Sequence, residues 1–308
     1  SCGSYTGTGA VGNEVTLGFE PQWVMIKSAT ASANWYLFDN MRGIHTGSND
    51  NVLWADTDRA EFSSNRLAVS ATGFTLTNAV NTNTSGHTYI YIAIRRPMKT
   101  PEAGTEVFAM DTQGSSSGKP NFKSGFPVDF AFVAETGGSG RLNSSRLTSP
   151  NVMYFNNTNA ESSDTERKFD YQNGWGNSVD VDSTRYSWMF RRAPGFMDVV
   201  ATPQTSASYG TVTHNLGVAP EFIILKGRDS SGESWRCYHA ATGRGASIQL
   251  NLPDAPFLVS NYWGTADPTA TEFGVMWGYF SLTNYIAYLF ATLPGVSKVG
   301  SYSGTGGN

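Results

Sequence analysis

Short apolar runs rich in Val, Ile, Phe, Tyr and Trp recur about every 8–12 residues along this chain, a spacing typical of all-β sandwiches. Clusters of Gly, Asn and Ser separate them. No window carries a convincing apolar stripe at i, i+3, i+4, i+7, so the pattern predicts strands and not helices. In TEFGVMWGYF (271–280), Phe273, Val275, Trp277 and Tyr279 alternate with Gly274, Met276 and Gly278. Period two predicts one strand there, with one aromatic face. TEVFAMD (105–111) and FMDVVA (196–201) read as further strands. NTNAESSDTERK (157–168) and TGSNDN (46–51) read as exposed loops. The fold class that follows is all-β and antiparallel.

Phrases recur. LGFEPQWVMIK (17–27) matches LGVAPEFIILK (216–226), and SGFPVDFAFVA (124–134) is a looser copy. HTYIYIAIRRP (87–97), TRYSWMFRRAP (184–194) and NYIAYLFATLP (284–294) are aromatic-rich strands that each stop at Pro, which cannot extend a ladder. WYLFDNMRG (35–43) resembles WRCYHAATGRG (235–245). The repeats predict three tandem sandwich modules: 1–98, a divergent 99–197, and 198–308. GSYTGTG (3–9) returns as GSYSGTG (300–306), so 297–308 is expected to form the first strand of a fourth copy. The matching ends suggest a segment cut from a longer string of modules. Trp23, Phe130 and Phe222 fall at one repeat position and are expected in the core. Trp35 and Trp235 form another structural pair, and Pro21 and Pro220 mark the repeated turn.

Charge is sparse: 21 Lys and Arg against 25 Asp and Glu, a net of -4 in 308 residues. Together with 18 Phe, 14 Tyr and 8 Trp, this describes an ordered chain, with no basic field for a nucleic-acid backbone. No run approaches the length of a membrane helix, and no signal peptide is visible. Two cysteines, Cys2 and Cys237, make no disulfide framework.

Candidate chemistry is thin. His45, His87, His214 and His239 show no metal spacing, and His214 in THNLG reads as structural. Cys237 and His239 share a strand face at i, i+2, where a packed thiol competes with a reactive pair. GSSSGKP (114–120) lacks the length and the hydroxyl of a phosphate loop. DTDRAE (56–61) and DVDS (180–183) set carboxylates two apart, short of a full calcium loop. No carboxylate pair stands out as a glycosidase couple. The Arg pairs at 95–96 and 191–192 read either as solvated strand ends or as salt links across module junctions. Trp54, Trp175 and Trp263 do not recur in register. Each is a candidate for stacking on a sugar face, against the plainer reading of a local hydrophobic plug. Neither a catalytic residue nor a cofactor nor a metal is predicted.

HNLGVAPEFIILK, FMDVV, YLFATLPGVSKVGSYSGTG, GFEPQWVMIK, WYLFDNMRG and SGHTYIYIAIRRPMKTPEAGTEVFAM together resemble tandem modules of large tail-fibre-like structural proteins of bacteriophages, especially marine and environmental ones. The resemblance spans nearly the whole chain and implies β-rich modules in a virion appendage, assembled in the host cytoplasm. Expected partners are other copies of the chain, other virion proteins and a host-surface glycan, with no nucleic acid and no membrane insertion. It carries over no catalytic residue. Repetition of this kind builds length, and analogy with fibres favours a threefold axis. A carbohydrate-binding receptor tip is the alternative function, and a polysaccharide depolymerase a third.

Overall fold

The computed structural model describes residues 1–46, 50–113, 118–138, 140–178, 183–203, 208–279 and 284–305. Apart from two 3-10 turns, the elements are all strands. Module 1 contains β1 (Cys2–Thr6), β2 (Asn13–Thr16), β3 (Pro21–Ser28), β4 (Tyr36–Asp39), β5 (Asp50–Trp54), β6 (Phe62–Ser64), β7 (Leu67–Ser70), β8 (Gly73–Leu76) and β9 (Thr88–Arg95). Module 2 contains β10 (Phe108–Thr112), β11 (Phe122–Lys123), β12 (Phe130–Glu135), β13 (Arg141–Ser145), β14 (Asn151–Tyr154), β15 (Ser162–Ser163), β16 (Gly174–Trp175) and β17 (Arg185–Phe190). Module 3 contains β18 (Met197–Pro203), β19 (Gly210–Thr213), β20 (Phe222–Gly227), β21 (Arg236–His239), β22 (Ala246–Gln249), β23 (Phe257–Leu258), β24 (Glu272–Val275) and β25 (Asn284–Phe290).

Each module builds a six-stranded antiparallel sheet in one order: β1-β9-β3-β4-β5-β6, β10-β17-β12-β13-β14-β15 and β18-β25-β20-β21-β22-β23. A small sheet covers one face: β2-β8-β7, β11-β16 and β19-β24 respectively. The aromatic strand that ends each repeat lies beside the first and third strands, pairing with both. The turn before the third strand needs a left-handed residue, and Gly18, Gly125 and Gly217 supply it at φ 78, 81 and 79°. Pro21 and Pro220 are buried directly after it.

Alternation along the strands decides what is core. On β9, Tyr89 and Ala93 are buried toward the small sheet, while Ile90, Ile92 and Ile94 point the other way and are exposed. The register places Trp23 opposite Ile94, Phe130 opposite Phe190 and Phe222 opposite Phe290. The three aromatics are therefore equivalent, but they lie on the outward face. The expectation of a shared core position fails for Trp23 and Phe222, which stay half-exposed; only Phe130 is fully buried. The inward neighbours Val24, Ala131 and Ile223 form the core.

The modules do not string out. Modules 1 and 3 touch directly: Arg96 bonds Asp198 at 2.9 Å, Asn215 Nδ2 donates to the Ala71 carbonyl at 3.1 Å, and Arg228 donates to the Thr46 carbonyl. One apolar cluster runs from Val24 and Phe38 through Leu147 and Met153 to Val199, Trp235 and Tyr288, so it draws on all three modules. Length-building repetition is thereby corrected, because in a solenoid each repeat contacts only its neighbours.

Four local readings also change. In 46–51, expected as an exposed loop, Thr46 and Asp50 are buried and Asp50 opens β5, while 47–49 lie outside the described residues. The predicted strand over 271–280 stops at Val275. Met276 N bonds the Tyr262 carbonyl instead of a ladder partner, and a 3-10 turn follows (Trp277–Tyr279). The loop at 157–168 is no free loop: Glu161 forks onto Arg228 at 2.8 and 2.9 Å, and Gly232 N donates to the Thr158 carbonyl. Residues 298–305 form no strand where the first strand of a fourth copy was expected. The linker turn before them does form, with Leu293 bridging Ser297 as Ala193 bridges Met197. In module 1 the corresponding strand β1 is held by β9, and the tail has no such partner among the described residues.

Candidate functional site

The outward faces of modules 2 and 3 meet each other. Phe130 lies on Tyr288 with ring centroids 4.1 Å apart, Phe190 meets Phe290 edge-on at 5.9 Å, and Phe155 meets Trp235 at 4.7 Å. Trp235 Nε1 donates to the Tyr154 carbonyl at 2.9 Å, which satisfies its buried donor. The two sheets close along this line and splay beyond it, leaving a groove of about 850 Å³. Half-exposed Phe132, Phe155, Phe190, Phe222 and Phe290 line it over Phe130, with Ser297–Gly300 of the C-terminal tail along one side. Rings stack inside the wall: Phe130 on Phe190 at 5.3 Å, and Phe132 on Trp188 at 4.7 Å.

Polar groups sit among these rings. Arg141 Nη1 donates to the carbonyls of Gly138 and Gly140. His239 Nδ1 accepts from Ala241 N at 3.0 Å, and its ring packs edge-on to Phe222. Lys298 is exposed. The titratable lining residues are thus Arg141, His239 and Lys298, with no carboxylate. Such a groove offers aromatic faces and positive charge, and its lining holds no acid pair of the kind glycoside hydrolysis uses.

Where the modules join, a largely buried polar site forms, with Asp129 partly exposed. Glu20 receives a fork from Arg192 at 2.8 and 2.9 Å. Arg96 bonds Asp198, Arg146 bonds Asp129 at 3.3 Å, and Arg192 N donates to Asp129 at 2.8 Å. Three guanidinium groups thus meet three carboxylates drawn from all three modules. Burial works against the Arg192 charge, but Glu20, Asp129 and Asp198 outweigh it and hold the group above its ordinary value. Burial likewise works against ionised Asp129, and Arg192 with Arg146 outweighs it, leaving the carboxyl below its usual range. Of the two readings of the Arg pairs, the second residue of each pair is a junction group: Arg96 and Arg192 are buried.

The tryptophans proposed for sugar stacking are not brought together. Trp175 and Trp263 are wholly buried. Trp175 stacks between Phe122 and Phe169 and donates to Ser187 at 2.9 Å; Trp263 donates to the Ala246 carbonyl at 3.0 Å. Neither can receive a sugar. Trp175 does recur: its pairing with Phe122 repeats as Phe74 with Val15 and Phe273 with Val212. Trp54 is partly buried, stacked on Phe62 at 4.4 Å with Arg59 over its ring. Trp35 and Trp235 hold equivalent backbone positions, each N–H accepted by the next hairpin's side chain, Asp56 or Asn251. Only Trp235 is buried, because module 2 covers it.

Burial pushes the Cys237 thiol up to about 12, and His239 bonds elsewhere, so the two do not act as a pair. His214 is buried, its Nδ1 accepting from Leu216 N, which is the structural role expected of it. In the acidic run 56–61, Asp56 caps Trp35 and Glu61 bonds Arg42 at 3.1 Å. Asp180 and Asp182 lie outside the described residues, as does 114–117 of the rejected phosphate loop. Among the described residues no three His, Cys, Asp or Glu side chains converge as a metal site would require. No helix among them is long and apolar enough to cross a membrane. Sequence reasoning missed the groove; its signal was the repeated aromatics at positions 130, 190, 222 and 290, of which it placed Phe130 and Phe222 in the module core and gave the other two no face.

A family model described as a domain of unknown function (DUF7483) matches residues 1–97 and 191–308. Those segments take in modules 1 and 3 and leave the divergent middle between them. No curated protein and no solved structure matches the chain.

Proposed function

The chain belongs to the DUF7483 family, and from that premise we propose that it is a non-catalytic structural block of a bacteriophage tail fibre or similar virion appendage. One observation carries the reading. Three sandwiches of one design are locked into a single body by a charge-balanced buried ion cluster and a shared apolar core. Buried polar chemistry here joins modules. The resemblance of the repeated phrases to tail-fibre-like proteins supports the same reading. The test is peptide mapping and immunogold imaging of purified particles from a producing culture. Peptides from all three modules, with label on an appendage, are expected. A protein found in infected cells and missing from particles sinks the proposal.

A second reading, glycan attachment, is favoured by the groove, whose half-exposed phenyl faces and cationic residues suit an acidic sugar chain. It moves the ligand site from Trp54, Trp175 and Trp263 to Phe132, Phe155 and Phe222. Calorimetric titration with acidic host-surface oligosaccharides checks it: binding should be lost in Phe132→Ala, and an unaltered affinity rejects the groove.

A further inference from the structure

Each six-stranded sheet has an outward face that the small sheet does not cover. In modules 2 and 3 these faces cover each other. The residue opposite Phe130 is Phe190, and the residue opposite Phe222 is Phe290. Phe190 and Phe290 are therefore one repeat position, and they touch, at 5.9 Å. Contact between equivalent residues is the mark of a self-complementary, twofold-like junction. Burial follows it: Phe130 is 2% exposed, and Ile286 and Tyr288 are 0% exposed.

Module 1 presents the same face, and no other described residue of the chain packs across it. Its outward residues on β9 are Ile90, Ile92 and Ile94, exposed by 42%, 39% and 50%. Register sets Trp23 beside Ile94, Met25 beside Ile92 and Leu37 beside Met25. All three are half-exposed. A solvated face of an antiparallel sheet ordinarily alternates to polar residues. Three isoleucines on alternate positions, flanked by Trp and Met, make an interaction surface instead. Trp35 adds to the contrast, being half-exposed where its counterpart Trp235 is sealed by module 2.

We infer that the outward face of module 1 closes on the same face of a second copy of this chain, forming an isologous dimer. The occupant follows from the molecule itself. This type of face already packs on its own kind between modules 2 and 3, equivalent residue against equivalent residue. Module 1 is the member of the set left over, and a second chain supplies an identical face. The symmetry so implied is twofold, in place of the threefold axis that fibre analogy suggested. The inference rests on the module faces and not on the virion reading.

Sedimentation velocity of the full chain across the micromolar range tests it. The expected result is a concentration-dependent dimer whose dissociation constant rises at least about tenfold in Ile92→Asp, since a charge is then buried at the interface centre. Circular dichroism should show that the variant keeps its fold, because Ile92 touches no core cluster. Leu252→Asp, at another exposed apolar residue, should leave the dimer unchanged. Cys2 lies opposite Ile92 on the edge strand and is exposed, so its alkylation should slow in the dimer and not in Ile92→Asp. A chain monomeric throughout the range overturns the inference. So does a dimer indifferent to Ile92→Asp, which would place the contact elsewhere, or a face that takes up only a different protein.

Discussion

Glu20 is a residue whose meaning no local window reveals. It stands just before the repeated Pro, yet its fork partner Arg192 lies 172 positions away. The recurring Arg pairs were visible in the sequence, but their acids were not, because Glu20, Asp129 and Asp198 share no spacing. Replacing Glu20 by Gln leaves three buried guanidinium groups facing two carboxylates. The expected cost is about 3–5 kcal/mol, the usual penalty for removing one partner of a buried pair; urea titration of wild type and variant checks it. The pH response has two opposite arms. Asp129 is depressed in the fold, so the stability it contributes is full above its unfolded value and is lost as pH falls through its lower folded value. Asp50 is the reverse. It is fully buried, and burial pushes its carboxyl up to about 7, against three backbone N–H donors from His45, Arg66 and Leu67. Stability from its neutral form is present below its unfolded value and is lost as pH rises through 7. From pH 5 to 7 the Asp50 contribution therefore lowers the melting temperature, against the opposite contribution of buried His214, and Asp50→Asn should remove that downward part of the slope. An equal slope in the two proteins contradicts the assignment.

At the scale of elements, strand identity was legible and strand facing was not. The Pro-terminated aromatic phrases mark β9, β17 and β25, and the Gly turn marks the start of β3, β12 and β20, because punctuation residues act locally. Which side of a strand is buried depends on what covers the sheet, and that is decided elsewhere in the chain. Trp23, Phe130 and Phe222 show this: one register position, buried at Phe130 and half-exposed at the other two. Trp175 shows the converse. A position filled by Phe in modules 1 and 3 carries Trp in module 2, so letter matching hid an equivalence that pairing reveals. The difference in cover has an energetic consequence. Phe130→Ala should cost about 3–5 kcal/mol, because its cavity opens inside packed rings. Trp23→Ala in the dissociated chain should cost less, since part of the ring already meets solvent. Thermal melts at low protein concentration compare them directly, and equal losses would contradict the outward placement.

For the whole molecule, the sequence suggested beads on a string, and the fold is one body. A string predicts three melting units, since repeats that touch only at neighbouring edges can come apart in turn. Here the cluster that fills module 1 continues through Leu147 and Met153 into Val199, Trp235 and Tyr288. The ion cluster also draws its six charges from all three modules. Opening one module would strip buried charges and rings of the other two of their partners. Unfolding should therefore be a single transition, with a calorimetric to van't Hoff enthalpy ratio of about one, where three independent modules would give roughly three. Tyr288 provides the sharper test. It is buried on β25 of module 3, yet its ring lies on Phe130 and its hydroxyl meets Asn143, both in module 2. Tyr288→Ala removes contacts on both sides of the junction and should destabilise the chain by about 3–5 kcal/mol, as large aromatic truncations in packed sites do. Hydrogen exchange can then be followed in β12, which pairs only within module 2. If the chain opens as one body, the β12 amides lose protection by the same free energy as those of β20. Protection of β12 unchanged while β20 weakens would return the modules to a string.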